Sequence, residues 1–135
     1  MSIIKRTLTL VLISFAMAAS CCAMTRKKEG TAVSYKSVPM AEGIEIARAN
    51  PDSVIVDVRR KDEYSAGHIP GAVLLTMETI SAESAAAVLP DKNQLILLYC
   101  RSGRRSKIAA KSLVDLGYTN VIEFGGILDY TGELE

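Results

Sequence analysis

The chain of 135 residues has no tryptophan, only two phenylalanines and a single histidine, His68. With so little aromatic mass, any core must be built from aliphatic side chains. Charge of one sign is also missing in excess. The formal net charge is +1, which gives no bulk electrostatic reason to expect nucleic-acid binding. Cysteine is sparse: Cys21, Cys22 and Cys100 are the three present. They make no disulfide framework and no pair at metal-ligand spacing, so they give no reason to expect a metal. Internal repeats and low-complexity tracts are absent. What remains is an ordinary globular balance, with 49% hydrophobic and 23% charged residues, and a length that allows one domain.

The first twenty residues read as an address, not as part of the fold. Lys5 and Arg6 precede an apolar stretch, Leu8 to Ala19, that is broken only by Thr9 and Ser14. This is the layout of a bacterial export signal, and the stretch is short for a membrane span, which needs about 20 residues. An uncleaved anchor is the alternative. Ala18-Ala19-Ser20-Cys21 resembles a lipobox, with Ala18 where Leu is usual, so Cys21 is a candidate for acylation. Ordinary cleavage after Ala23 is the competing reading. On the lipoprotein reading, residues 1–20 are removed, residues 21–33 form a flexible tether, and residues 34–135 form the domain. The protein is then exported to the periplasm or cell envelope and held to the membrane by a lipid anchor. Losing Lys5 and Arg6 leaves the mature chain near neutral.

Within the domain, strand and helix patterns alternate. Tyr35–Val38 reads as a short strand, and Pro39 opens a helix that carries Met40, Ile44 and Ala47 on one face. Val54–Val58 is a continuous apolar and β-branched run interrupted only by Asp57. Lys61–Ala66 predicts a short helix stopped by Gly67, and Ala72–Leu75 another strand. Ser81 predicts the cap of a helix through Val88. Leu95–Tyr99 is a second continuous apolar run, Arg104–Leu116 a helix, and Val121–Phe124 a last strand from which Gly125-Gly126 turns away. Strands that are apolar on both faces imply an α/β domain with a mostly parallel sheet of about five strands and helices on both sides. Sites in such sheets form beyond the carboxyl ends of the strands.

That rule points to Cys100-Arg101-Ser102-Gly103-Arg104-Arg105-Ser106. A cysteine leaves a buried strand and faces a loop that runs into a helix. The helix start offers backbone N–H groups with no intrahelical partner and a positive dipole end. Gly103 permits the curl that turns several N–H groups toward one atom. Arg101, Arg104, Arg105 and Lys107 crowd positive charge nearby. Helix starts and cations lower a thiol pKa from about 8.5 into the range of roughly 3.5–7.5, so Cys100 is expected to be a thiolate beside a pocket for anions. The plain alternative is a buried, inert cysteine acting as a small hydrophobe, which would not need a dense cluster of cations beside it.

These residues resemble the rhodanese family, whose active-site loop begins with Cys after the fourth strand and often has the form C-x-x-x-x-R, here Cys100 to Arg105. Further matches are Asp57-Val58-Arg59, Glu63-Tyr64, Gly67-His68-Ile69-Pro70-Gly71-Ala72, and Gly117-Tyr118 followed by Val121 and Phe124-Gly125-Gly126. The common Trp after the Gly-Gly pair is missing, and Asp129-Tyr130 lies in that neighbourhood. The resemblance implies a rhodanese-like fold and a sulfurtransferase. The Cys100 thiolate would take the outer sulfur of thiosulfate or a similar small anionic donor and hand it, from a persulfide, to cyanide or a thiol, with no metal or organic cofactor. Arg101, Ser102, Gly103, Arg104 and Arg105 would bind the donor, with Arg105 alternatively turned inward to brace the loop. Asp57, Arg59 and Glu63 read as a structural ion-pair network, and His68 as a residue that locks a turn. Nothing in the sequence sets the oligomeric state.

Three rivals separate cleanly. A thiol–disulfide oxidoreductase needs a resolving cysteine, and only Cys22, on the tether, is on offer. A persulfide carrier or protein-binding module would keep the fold without turnover. A phosphatase or arsenate reductase of the related Cys-dependent fold uses a loop one residue longer, and in this chain the next position is Ser106, not Arg. Negligible phosphatase activity is therefore expected; steady, Cys100-dependent hydrolysis of an aryl phosphate would overturn that reading.

Overall fold

The computed structural model describes residues 34–135. Cys21, the tether and the export segment lie outside the described residues. The elements in order are β1 (Lys36–Ser37), α1 (Met40–Ala49), β2 (Val54–Asp57), α2 (Lys61–Ala66), β3 (Val73–Leu74), α3 (Ala82–Val88), β4 (Ile96–Cys100), α4 (Arg104–Asp115) and β5 (Val121–Gly126), with short 3-10 turns at Met77–Thr79 and Ile127–Asp129. The five strands form one sheet in the order β1-β5-β4-β2-β3. Every pairing is parallel, so the sheet is wholly parallel where the sequence suggested mostly.

β4 lies at the centre, between β5 and β2. All five of its residues are fully buried, because successive side chains point to opposite faces and both faces are covered. Ile96, Leu98 and Cys100 join Val56, Val58, Ala85, Leu89, Ala109, Ala110 and Leu113 in the layer under α3 and α4. Leu97 and Tyr99 join Val38, Met40, Ile69, Ile122 and Phe124 in the layer under α1. Of the α1 face expected from spacing, Met40 is buried and Ile44 and Ala47 are partly buried; α4 buries Ala109, Ala110 and Leu113. Ser81 caps α3 by accepting from the Ser84 N–H, which satisfies one of the donors a helix start leaves open.

Most element ends fall within a residue of the sequence pattern, and two differences are informative. Pro39 is the residue before α1 and not its first turn. The Gly125-Gly126 pair does not turn out of the sheet but ends β5, with Gly126 opposite Cys100 across a register irregularity between Leu98 and Cys100. The sheet is carried one residue further on β4, to Cys100, and two further on β5, to Gly126, because β5 has to reach under the loop that follows β4.

α1 approaches β5 through Gly43. A Cβ there would meet the Cβ and ring of the fully buried Phe124, atoms too close to the β5 backbone to swing aside. Gly43→Ala is therefore predicted to destabilise the domain by about 1–3 kcal/mol through overpacking. Urea unfolding measures this, and an unchanged midpoint would contradict the packing.

Candidate active site

β4 delivers Cys100 to the carboxyl end of the sheet, on the face covered by α4. Residues 101–103 then turn back so that α4 starts directly over the sulfur. Gly103 makes this turn in the left-handed region, at φ 98°, where a side chain is strained. Its N–H donates to Cys100 Sγ at 3.0 Å. Ser106, one turn into α4, places its hydroxyl oxygen 3.5 Å from the same sulfur.

Cys100 has no solvent exposure. Burial alone pushes its thiol up and is the largest single influence. It is overcome by hydrogen bonds to the sulfur from the Ser106 hydroxyl and from the N–H groups of Ser106, Gly103 and Ser102, which leave the thiol below its ordinary value. The expected depression is thus present, but its leading source is loop and helix donors and not the guanidinium groups from which it was also argued. The sulfur expected beside a pocket for anions is fully buried beneath a backbone cradle.

The arginines divide. Arg101 and Arg104 are exposed, and neither forms an ion pair among the described residues. Arg105, grouped with the donor-binding residues in the sequence reading, is committed elsewhere: its two terminal nitrogens donate to the two Glu63 oxygens at 2.7 and 2.8 Å. This bidentate pair fastens α4 to α2, in keeping with the bracing alternative. Ser102 is exposed and Gly103 buried.

Glu63 consequently does not belong to the Asp57–Arg59 network. That network is separate and lies on the other face of the sheet, because Asp57 sits in register with Tyr99 and not with Cys100. Asp57 accepts from the Arg59 Nε and terminal nitrogen and from the Tyr99 hydroxyl, at 2.7–3.0 Å. The Tyr99 hydroxyl in turn accepts from the Ile69 N–H, and Arg59 donates to the Gly67 carbonyl. His68 stacks on Tyr64 with ring centroids 3.8 Å apart, and its Nδ1 lies 3.0 Å from the Tyr64 carbonyl. Its backbone pairs with Glu135, and no hydrogen bond joins it to Cys100. Asp57, Arg59 and His68 together hold the strand ends and turns that frame the loop.

Three contributors escaped the sequence reading. In the sequence Ser106 marks only the position where a longer loop would carry arginine. Glu123, 1% exposed, accepts from Ser106 and from the Gly125 N–H; an acidic residue inside an apolar strand pattern was the available signal. Gly126 lies so close under the loop that a Cβ would strike the Arg101 carbonyl and Ser102 Cα. A cavity of about 470 Å³ adjoins the loop, lined by Arg59, Glu63, Gly67, Arg101, Leu128 and Leu134 among others. No cluster of three or more metal-ligating side chains occurs among the described residues.

A cysteine at the end of a central parallel strand, cradled by the first turn of the next helix, defines a class: α/β domains that hold an anionic sulfur in a short loop. The comparisons narrow it. The chain belongs to the Rhodanese-like domain family, which it matches over residues 42–133. It is 38% identical over 74 residues to the thiosulfate sulfurtransferase PspE of Escherichia coli, covering 55% of this chain and 70% of that one. It is 39% identical over 82 residues to the putative sulfur carrier protein YrkF of Bacillus subtilis, covering 60% of this chain but only 43% of YrkF. Among solved structures, a rhodanese with anions from E. coli superposes with a TM-score of 0.57 at 32% identity, covering 62% of this chain and 96% of that one.

The Glu63–Arg105 pair generates a pH prediction. The Arg105 hydrogen bonds hold the Glu63 carboxyl at about 2, well below the ordinary 4.5. A depressed carboxylate stabilises the fold fully above its unfolded value, and that stabilisation disappears as pH falls through the folded one. Glu63→Gln should therefore cost about 1–2 kcal/mol at neutral pH, allowing for partial exposure of the pair, and the deficit relative to wild type should vanish as pH approaches 2. Denaturant titrations across that range test it; a pH-independent deficit would show that the charge on Glu63 is not what matters.

Proposed function

We propose that the protein is a sulfurtransferase that moves sulfane sulfur from thiosulfate or a similar small anionic donor to a thiophilic acceptor through a persulfide on Cys100. The observation that carries this reading is the cradle itself: the Gly103 N–H 3.0 Å from a buried sulfur whose ionisation the surrounding donors favour. An inert core cysteine has no use for donors aimed at it. The kinship with a thiosulfate sulfurtransferase and the anions in the E. coli rhodanese structure agree with a donor of this class.

The chemistry balances without a cofactor. The Cys100 thiolate attacks the outer sulfur of thiosulfate, a Cys–S–S bond forms, the bond from that sulfur to the sulfonate sulfur breaks, and sulfite leaves with the electron pair. Cyanide or a thiolate then attacks the outer persulfide sulfur, and the Cys100 thiolate is regenerated. Arg101 and Arg104, exposed at the loop, are placed to draw the dianion in, and the loop N–H groups hold the negative charge in both half-reactions. The full burial of the sulfur means that the loop must loosen to admit the donor.

A second reading is a carrier that holds persulfide for a partner without rapid turnover. The similarity to a putative sulfur carrier and the closed sulfur favour it over the phosphatase and oxidoreductase readings. For the N-terminal residues we retain export and acylation of Cys21 as the working proposal, which would place this chemistry in the periplasm or cell envelope, on a membrane.

Treatment with thiosulfate should add one sulfur atom to the intact mass, cyanide should remove it, and Cys100→Ser should abolish the gain. Steady sulfite release with cyanide present identifies the catalyst, and a single stoichiometric burst identifies the carrier. No mass gain on the folded protein would overturn both.

A further inference from the structure

Glu123 is the one buried acidic side chain that the sulfur-transfer reading leaves without a task. Its carboxylate is 1% exposed and has no cation within ion-pair distance among the described residues, whereas the other buried acid, Asp57, is paired with Arg59. Three donors satisfy it instead. Ser37 Oγ donates to Oε2 at 2.5 Å, and Ser106 Oγ and the Gly125 N–H donate to Oε1 at 2.7 and 2.8 Å. Ser106 is also the residue whose hydroxyl oxygen lies 3.5 Å from Cys100 Sγ.

A serine hydroxyl has one proton to give. Around Ser106 stand the Glu123 carboxylate, the sulfur, and the carbonyls of Gly103 at 3.1 Å and Gly125 at 3.4 Å. Only two of these four become strong acceptors through charge: the carboxylate and the thiolate. When the hydroxyl points to Oε1, the sulfur can only donate its own proton to Ser106. When it points to the sulfur, the thiolate gains a donor. We propose that Glu123 is a positioning residue for Cys100: its carboxylate competes with the sulfur for the Ser106 proton and so sets how readily, and how nucleophilically, the sulfur ionises.

The surroundings add one further charge to this competition, the Arg105 guanidinium, whose field reaches Cys100. β1 and β4 meet Glu123 in register with Ser37 and Leu98, and α4 meets it with Ser106. Tyr35 packs into the same layer. Lys36 is exposed and pairs with Glu42, and Arg105 is itself paired with Glu63. The use to the reaction is plain. A thiolate held too firmly is a weak nucleophile, since reactivity falls as thiol pKa falls. An acceptor that draws the hydroxyl away keeps the sulfur nucleophilic enough to attack.

This inference rests on Cys100 being the sulfur-carrying residue, and its test separates the two. Thiolate formation at Cys100 is followed by ultraviolet absorbance, as the difference from Cys100→Ala, in the wild type, Glu123→Gln and Ser106→Ala. Glu123→Gln keeps the size and the contacts to Ser37 and Gly125 but removes the charge. Its midpoint should fall by about one unit, and sulfite release by the fully ionised enzyme should slow about threefold. Ser106→Ala, which loses the donor, should move the midpoint upward. If thiosulfate loads Cys100 but Glu123→Gln titrates as the wild type does, Glu123 is only a structural tie. If Glu123→Gln does not fold, an unmoved or lowered midpoint in Ser106→Ala overturns the inference. Failure of thiosulfate to load the wild type sinks the sulfur-transfer reading instead.

Discussion

The structure turns on one constraint: a sulfur with no solvent contact must be able to carry negative charge. Burial opposes this strongly. Hydrogen-bond donors at the sulfur supply the remedy, and they come from a loop of three residues and the first turn of α4. Every other feature of the site fixes where those donors point. Gly103 takes a left-handed turn so that its N–H faces the sulfur. Gly126 has no side chain so that β5 can pass directly beneath the Arg101 carbonyl. Arg105 and Glu63 clamp the start of α4 to α2.

The two polar networks do different work on the two faces of one sheet. Asp57, Arg59 and Tyr99 form a buried, paired cluster that ties β2 to β4 and to the turn at Gly67. Because alternate residues of β4 face opposite ways, Tyr99 anchors this cluster while Cys100, the next residue, enters the layer with Ser106 and Glu123. The scaffold and the reactive centre are thus neighbours in sequence and separated by the sheet. That arrangement keeps the Asp57–Arg59 pair away from the sulfur and leaves Glu123 as the carboxylate bonded to its Ser106 neighbour.

Much of this was legible in the sequence because it depends on local pattern. Two apolar runs fixed β2 and β4 as doubly covered strands, Lys61–Ala66 and Ser81–Val88 announced their helices, and the position of Cys100 between a buried strand and a helix start marked the site. What was not legible depends on contacts between distant residues. The Arg105 side chain reads as one more cation until Glu63, 42 residues away in the chain, is seen to claim it. Glu123 looks like an exposed strand residue until β1 and α4 cover it. The Gly-Gly pair reads as a turn because sequence does not reveal that β5 must slide under a loop.

The direct test of the central claim is the infrared S–H stretch of Cys100, isolated as the difference from Cys100→Ala and followed with pH in the folded and the urea-unfolded chain. If loop donors hold the charge, the folded protein loses the band at lower pH than the unfolded chain does. Loss at the same pH, or later, would mean that burial wins and that the cradle around Cys100 does not make a nucleophile.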